Sequence, residues 1–174
     1  MSGQNYNDRS PSMRMIFVIV LGCSFLIAAD PSLAQLGPRT QQPAGALSRV
    51  TPEQVASAMT QAGFSSRVQT SKNEKYITTT MSGFNVSVFF FDCNNQGCGN
   101  FQYWSAFTKQ ESFTLEYVNA WNNQWRFAKA NLDSDGNLIF SADVVVAGGV
   151  TSDNIKTTAQ LFDFVLSELA KFNP

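Results

Sequence analysis

Histidine is absent from all 174 residues. That removes the commonest general base near neutral pH, the usual activator of a serine or cysteine nucleophile, and the commonest side-chain metal ligand. Charge is scarce too: 12 Lys and Arg face 13 Asp and Glu, for a formal net charge of -1, and charged residues make up only 14% of the chain. Without an excess of one sign there is no field to attract a phosphate backbone, so nucleic acid is not expected as a partner. Neither a Gly-x-Ser-x-Gly elbow nor a Ser-x-x-Lys pair occurs, which leaves covalent catalysis without a nucleophile motif. Cysteine appears three times, at Cys23, Cys93 and Cys98. What is plentiful is apolar: 44% of residues are hydrophobic, including 15 Phe, 4 Tyr and 3 Trp, a composition that builds one globular core rather than a disordered chain.

The first 34 residues read as an export signal, not as fold. Arg9 and Arg14 precede the apolar run Met15 to Ala29, and the breaker Asp30-Pro31 leads into Ser32-Leu33-Ala34. The small residues Ser32 and Ala34 place cleavage before Gln35. The run is shorter than the ~20 residues a spanning helix needs, so no stable membrane anchor is expected after cleavage, and the mature chain is expected in the periplasm or outside the cell. Met13 is an alternative start. Val20-Leu21-Gly22-Cys23 loosely resembles a lipobox, but apolar residues continue past Cys23, where a lipidated cysteine normally ends the run. Residues 35–48, rich in Pro, Gly and Gln, read as a flexible leader, and the domain spans 49–174.

Within the domain, Thr51-Pro52-Glu53-Gln54 is a capping-box start, and Val55, Ala58, Met59 and Ala62 follow on one helical face up to Gly63. Residues 67–71, 76–81 and 84–91 are β-branched and aromatic, separated by turn signals at Lys72-Asn73-Glu74 and Ser82-Gly83. A further strand carries Phe101, Tyr103 and Phe107 after a loop expected over Asn94 to Asn100. Leu115, Val118, Trp121 and Trp125 fall along one side of a second helix ending near Gln124. The run Asp133-Ser134-Asp135-Gly136-Asn137 between two strands is a hairpin signal, and Thr151 caps a third helix with an apolar stripe from Ile155 to Leu169. The order helix, strands, helix, hairpin, helix predicts an α+β fold with helices packed on an antiparallel sheet.

The candidate chemistry is sparse. Cys93 and Cys98 lie across one hairpin end and, in an oxidising compartment, are expected to form a disulfide. No metal or other cofactor is expected: two thiols lack the further ligands zinc needs, and the Asp133 to Asn137 run has its glycine at the wrong place for a calcium loop and no closing glutamate. Carboxylate pairs such as Asp133 and Asp143 could serve acid–base hydrolysis. Gly148-Gly149 before Thr151 reads as a strand-to-helix connection rather than an anion cradle.

Asn122, Trp125, Ala128, Leu132, Asp133, Asp135-Gly136, Asp143 and Gly148-Gly149 together resemble the motif of the YbjN family, assigned by inference to bacterial sensory transduction. The resemblance covers the second half of the domain. It implies a fold like that of type III secretion chaperones, often dimeric, which works by binding protein and has no established catalytic residue to carry over. The export signal and the cysteine pair depart from many members.

Parity along the strands suggests where such binding would occur. Phe89, Phe91 and Trp104 alternate against Phe90 and Tyr103, so both faces of the sheet receive large apolar groups, and three short helices can cover only one. The expectation is an exported, non-enzymatic protein-binding module, chaperone-like or regulatory in the envelope, whose partner is another protein or a second copy in a homodimer. The alternatives are a small-ligand-binding protein and, third, a carboxylate-based hydrolase.

Overall fold

The computed structural model describes residues 45–172. The export signal, Cys23 and the cleavage point before Gln35 lie outside the described residues. Nine elements follow in order: α1 (Pro52–Gln61), β1 (Arg67–Ser71), β2 (Glu74–Met81), β3 (Phe84–Asn94), β4 (Gly97–Phe107), α2 (Leu115–Gln124), β5 (Lys129–Leu132), β6 (Leu138–Val145) and α3 (Ser152–Leu169). The strands form one antiparallel sheet in the order β1-β2-β3-β4-β6-β5. The α+β class expected from the sequence is the class observed.

Local chemistry sets the element boundaries. Thr51 closes a full capping box on α1: its hydroxyl accepts from the Gln54 N–H, and the Gln54 side chain accepts from the Thr51 N–H at 2.8 Å. Thr114 and Thr151 accept from Tyr117 and Asn154 in the same way at the starts of α2 and α3. The β1–β2 and β2–β3 turns place Lys72, Asn73, Ser82 and Gly83 at positive φ, the left-handed pair that a two-residue hairpin turn uses to match strand twist.

All three helices supply the core from one side of the sheet. Val55 and Met59 of α1, Trp121 of α2, and Ile155, Phe162 and Leu166 of α3 are buried with Ile77, Val88, Phe101, Tyr103 and Phe140 of the strands. The Tyr103 ring stacks on Phe162 at 5.3 Å, and Trp121 meets the edge of Phe140 at 4.9 Å. Among the described residues no helix is long and apolar enough to cross a membrane.

Three details differ from the sequence reading. The loop expected over Asn94 to Asn100 is a tight turn at Asn95-Gln96, because β3 runs on to Asn94 and β4 begins at Gly97. The polar, Gly-rich composition there reflects packing, not a loop. A Cβ on Gly97 would meet the Val50 carbonyl at 2.8 Å, and one on Gly99 would overlap the Asp92 carboxylate. Second, Leu115 is 66% exposed at the first turn of α2, and Tyr117, Val118 and Trp121 form its buried side. Third, pairing extends two residues ahead of Arg49: Leu47 and Val150 exchange backbone hydrogen bonds at 2.7 and 2.9 Å.

Candidate binding face

The face opposite the helices is built by strand alternation. Tyr76 of β2, Phe89 of β3 and Trp104 of β4 project to it, while their neighbours Ile77, Val88 and Tyr103 are fully buried on the other side. The three rings form a ladder across adjacent strands: Tyr76 stacks on Phe89 at 6.1 Å, and Phe89 meets Trp104 edge-on at 5.9 Å. Among the described residues no helix covers them, and mutual contact leaves each half-buried. Phe91, two residues along β3, is 46% exposed. Toward β6 the face turns polar, where the Gln102 amide donates to the Asp143 carboxylate at 2.8 Å. Thus Phe89, Phe91 and Trp104 share one surface, and Tyr76 joins them. Tyr76 escaped sequence reasoning although its parity with Phe89 across the Ile77–Val88 pair carries the signal.

Beside Phe89 the sheet opens. The β2–β3 ladder stops at Ile77–Val88, yet β2 continues back to Glu74 and β3 forward to Asn94, so the two strands part. The groove between them has a volume of about 970 Å³ and is floored by Tyr76, Phe89, Phe90 and Phe91. Lys75 and Glu53 pair at 2.6 Å on its rim, and hydrogen bonding from Lys75 holds the Glu53 carboxyl below its ordinary value. The Cys93–Cys98 disulfide forms the far wall. Cys98 gives both its N–H and C=O to Val50, so Cys93 and Cys98 face each other at a non-hydrogen-bonded position, where opposed side chains approach most closely. Arg49 clasps the same tip: its guanidinium donates to the Asp92 carbonyl and carboxylate and to the Gly97 carbonyl.

The remaining motif residues are structural where their contacts are seen. The Asn122 amide donates to the Ala130 carbonyl at 3.0 Å and accepts from the Ala130 N–H at 2.9 Å, so α2 stands in for a missing neighbour of edge strand β5. The indole N–H of Trp121 donates to Ala128 beside it. Asp133 closes its loop by accepting from the N–H groups of Asp135 and Asn137 and from the Asn137 amide, all at 2.9 Å. Asp135 stays exposed and Gly136 takes a positive φ. Gly148 and Gly149, also at positive φ, turn the chain from β6 into α3, as a connection should. Asn122, Trp125 and Asp143 converge on a second, shallow opening at the β6 edge.

This geometry argues against a carboxylate pair in catalysis. Asn137, which Asp133 holds, lies six residues from Asp143 along extended chain, roughly 20 Å at ordinary strand rise. Two carboxyls acting on one glycosidic bond stand about 5–9.5 Å apart. Among the described residues no group of three or more His, Cys, Asp or Glu side chains could hold a metal ion.

Helices on one face of an antiparallel sheet, an aromatic ladder on the other and a groove where β2 and β3 part beside the start of α1 define an α+β domain. Residues 51–172 match the model of the YbjN family, described as "Putative bacterial sensory transduction regulator", and the chain belongs to that family. Among solved structures it is similar to YbjN from E. coli, described as "a putative transcription regulator", with a TM-score of 0.50 and 16% identity over 71% of this chain and 95% of that one. A second similarity, at TM-score 0.46 and 9% identity over 67% of this chain and 97% of that one, is to the Yersinia pestis type III secretion chaperone SycH in complex with a fragment of YscM2. No curated protein sequence matches.

Proposed function

We propose that this protein is an exported, non-enzymatic binding module that holds a protein partner, or a second copy of itself, on its aromatic sheet face, in a chaperone-like or envelope-regulatory role. The observation that carries this reading is the Tyr76–Phe89–Trp104 ladder, over which no helix of the described residues lies. Aromatic groups half-shielded by one another are the anchors that dominate protein interfaces. Export is supported by Arg14, the apolar run from Met15 to Ala29 and the small residues Ser32 and Ala34. Changing Phe89 and Trp104 together to Ser should leave the far-ultraviolet circular dichroism unchanged while abolishing self-association in light scattering, or capture of partner from periplasmic extract. A double variant that unfolds, beside a wild type that is a monomer and captures nothing, would show these rings to be core. Intact mass of the exported protein should correspond to a chain starting at Gln35, and a diacylglyceryl group on Cys23 would refute free export.

A second reading follows from the groove beside Phe89. Its aromatic floor and ionic rim suit an elongated apolar molecule with a polar end, and its volume is within the range of small-ligand sites. Ligand binding there should survive dilution to a strict monomer, which separates it from a face that works only by association.

A further inference from the structure

The sheet has a second unfinished edge, away from the aromatic ladder. β5 pairs with β6 only from Leu132–Leu138 to Lys129–Ser141, so among the described residues Ala142 to Val145 has no strand partner on that side. The cause is local: Phe127, two residues before β5, has a φ of 74° and turns the chain off the line that would have continued the ladder. Two hydrogen-bond patterns fix which backbone groups face the gap. Val146 donates to Gly99, so even-numbered residues of β6 point toward β4. On β5, Asn122 takes the outward N–H and C=O of Ala130, so Lys129 and Asn131 pair inward with Ser141 and Ile139. By alternation, the N–H and C=O groups of Asp143 and Val145 face the gap.

The surroundings are those of a strand site. The opening, about 410 Å³, is lined by Asn122, Trp125, Phe127, Lys129 and Ser141 to Asp143. Phe127, 60% exposed, lines the opening, and Val145, 67% exposed, lies farther along the same edge of β6. The Trp125 side chain lines the opening, with its indole N–H closed to solvent and without a hydrogen-bond partner among the described residues. Width decides the occupant. Asn122 of α2 and Trp125, which caps its C-terminus, bound the slot, so a second copy bringing its own sheet edge-on would run into α2, whereas one extended strand fits in line with β5.

We infer that the β6 edge from Ala142 to Val145 is a strand-addition site for a single extended peptide segment, distinct from the aromatic face. Such a peptide would exchange main-chain hydrogen bonds with Asp143 and Val145 and rest apolar side chains on Phe127 and Val145.

The probe is a fluorescein-labelled capped peptide that alternates Val and Thr between terminal Lys residues. The measurement is anisotropy, with amide chemical shifts of the labelled protein as the map. Half-saturation below about 1 mM is expected, with shifts concentrated at Phe127, Asp143 and Val145. Val145→Pro removes one N–H that faces the slot, at an edge position where proline is tolerated, and should weaken binding at least about tenfold while the thermal transition is kept. The same peptide with methylated backbone nitrogens should bind wild type at least about tenfold more weakly, a control that needs no protein variant. Absence of binding, shifts confined to Phe89, Phe91 and Trp104, or a dimer that Val145→Pro dissociates would each overturn the inference. The first two leave the aromatic-face reading standing, and loss of that reading through Phe89 and Trp104 leaves the edge test untouched.

Discussion

Asn122 uses both ends of its amide on one residue, Ala130, and so supplies an exposed strand edge with the partner it lacks. Replacing it with Ala leaves a backbone donor and acceptor on β5 half-buried and unpaired, at an expected cost of about 1–3 kcal/mol in denaturant unfolding. Asn122→Asp keeps the acceptor but loses the donor and should fall between the two. Asp133 is a different kind of residue-scale lock. The Asn137 side chain first, and then the Asn137 and Asp135 N–H groups, hold its carboxyl below the ordinary value. A depressed folded-state value means its contribution is present above the unfolded carboxylate value of about 3.9 and is lost as pH falls through the lower folded one. Melting temperature followed from pH 6 downward, across roughly pH 4 to 2, should therefore drop less steeply for Asp133→Asn than for wild type. Equal slopes would show that the loop does not hold the charged form.

At the scale of elements, the sequence was most legible where one local rule decided the outcome. Thr51-Pro52 with Gln54, and Thr151, announced their helices through capping chemistry, and Val86, Val88 and Phe90 announced a strand by alternation. It was least legible where distant chain decided. Asn94 and Gly97 to Asn100 have loop composition but lie in strands, since Gly97 admits the Val50 backbone from far along the chain and Gly99 admits the Asp92 carboxylate of the facing strand. Nothing near Asp92 in sequence indicates that Arg49 will pair with it at 3.0 Å. The candidate site divided in the same way. The parity of Phe89 and Trp104 was readable, whereas the parting of β2 from β3 and the break at Phe127 depend on sheet twist and a single backbone angle. The hairpin tip is testable. Reduction of the Cys93–Cys98 bond removes a short-loop constraint worth about 2 kcal/mol in the chain-entropy model, so Cys93→Ser should lower unfolding free energy by roughly that amount. Gly97→Ala should also destabilise, because a Cβ there meets the Val50 carbonyl and φ is 125°.

For the whole molecule the decisive feature is that one sheet serves two environments with the same residue type. Phe101 and Phe91 are both phenylalanines on adjacent strands, β4 and β3. Phe101 is fully buried under the helices, with its ring 5.5 Å from Tyr103, while Phe91 is 46% exposed at the groove. If the helix-free face is free for binding and not part of the core, the two positions must respond differently to the same change. Phe101→Ala removes a large buried side chain and leaves a cavity that the packed helices cannot fully close, an expected loss of about 3–5 kcal/mol. Phe91→Ala gives up contacts already shared with water and should stay within about 1 kcal/mol. Association should respond in the opposite order: Phe91→Ala weakens partner or self binding at least about tenfold, while any Phe101→Ala protein that stays folded binds as wild type does. Urea unfolding of both variants, followed by sedimentation of the folded fractions, separates the two effects. Comparable stability losses at the two positions would place Phe91 in the core and remove the physical basis for a working outer face.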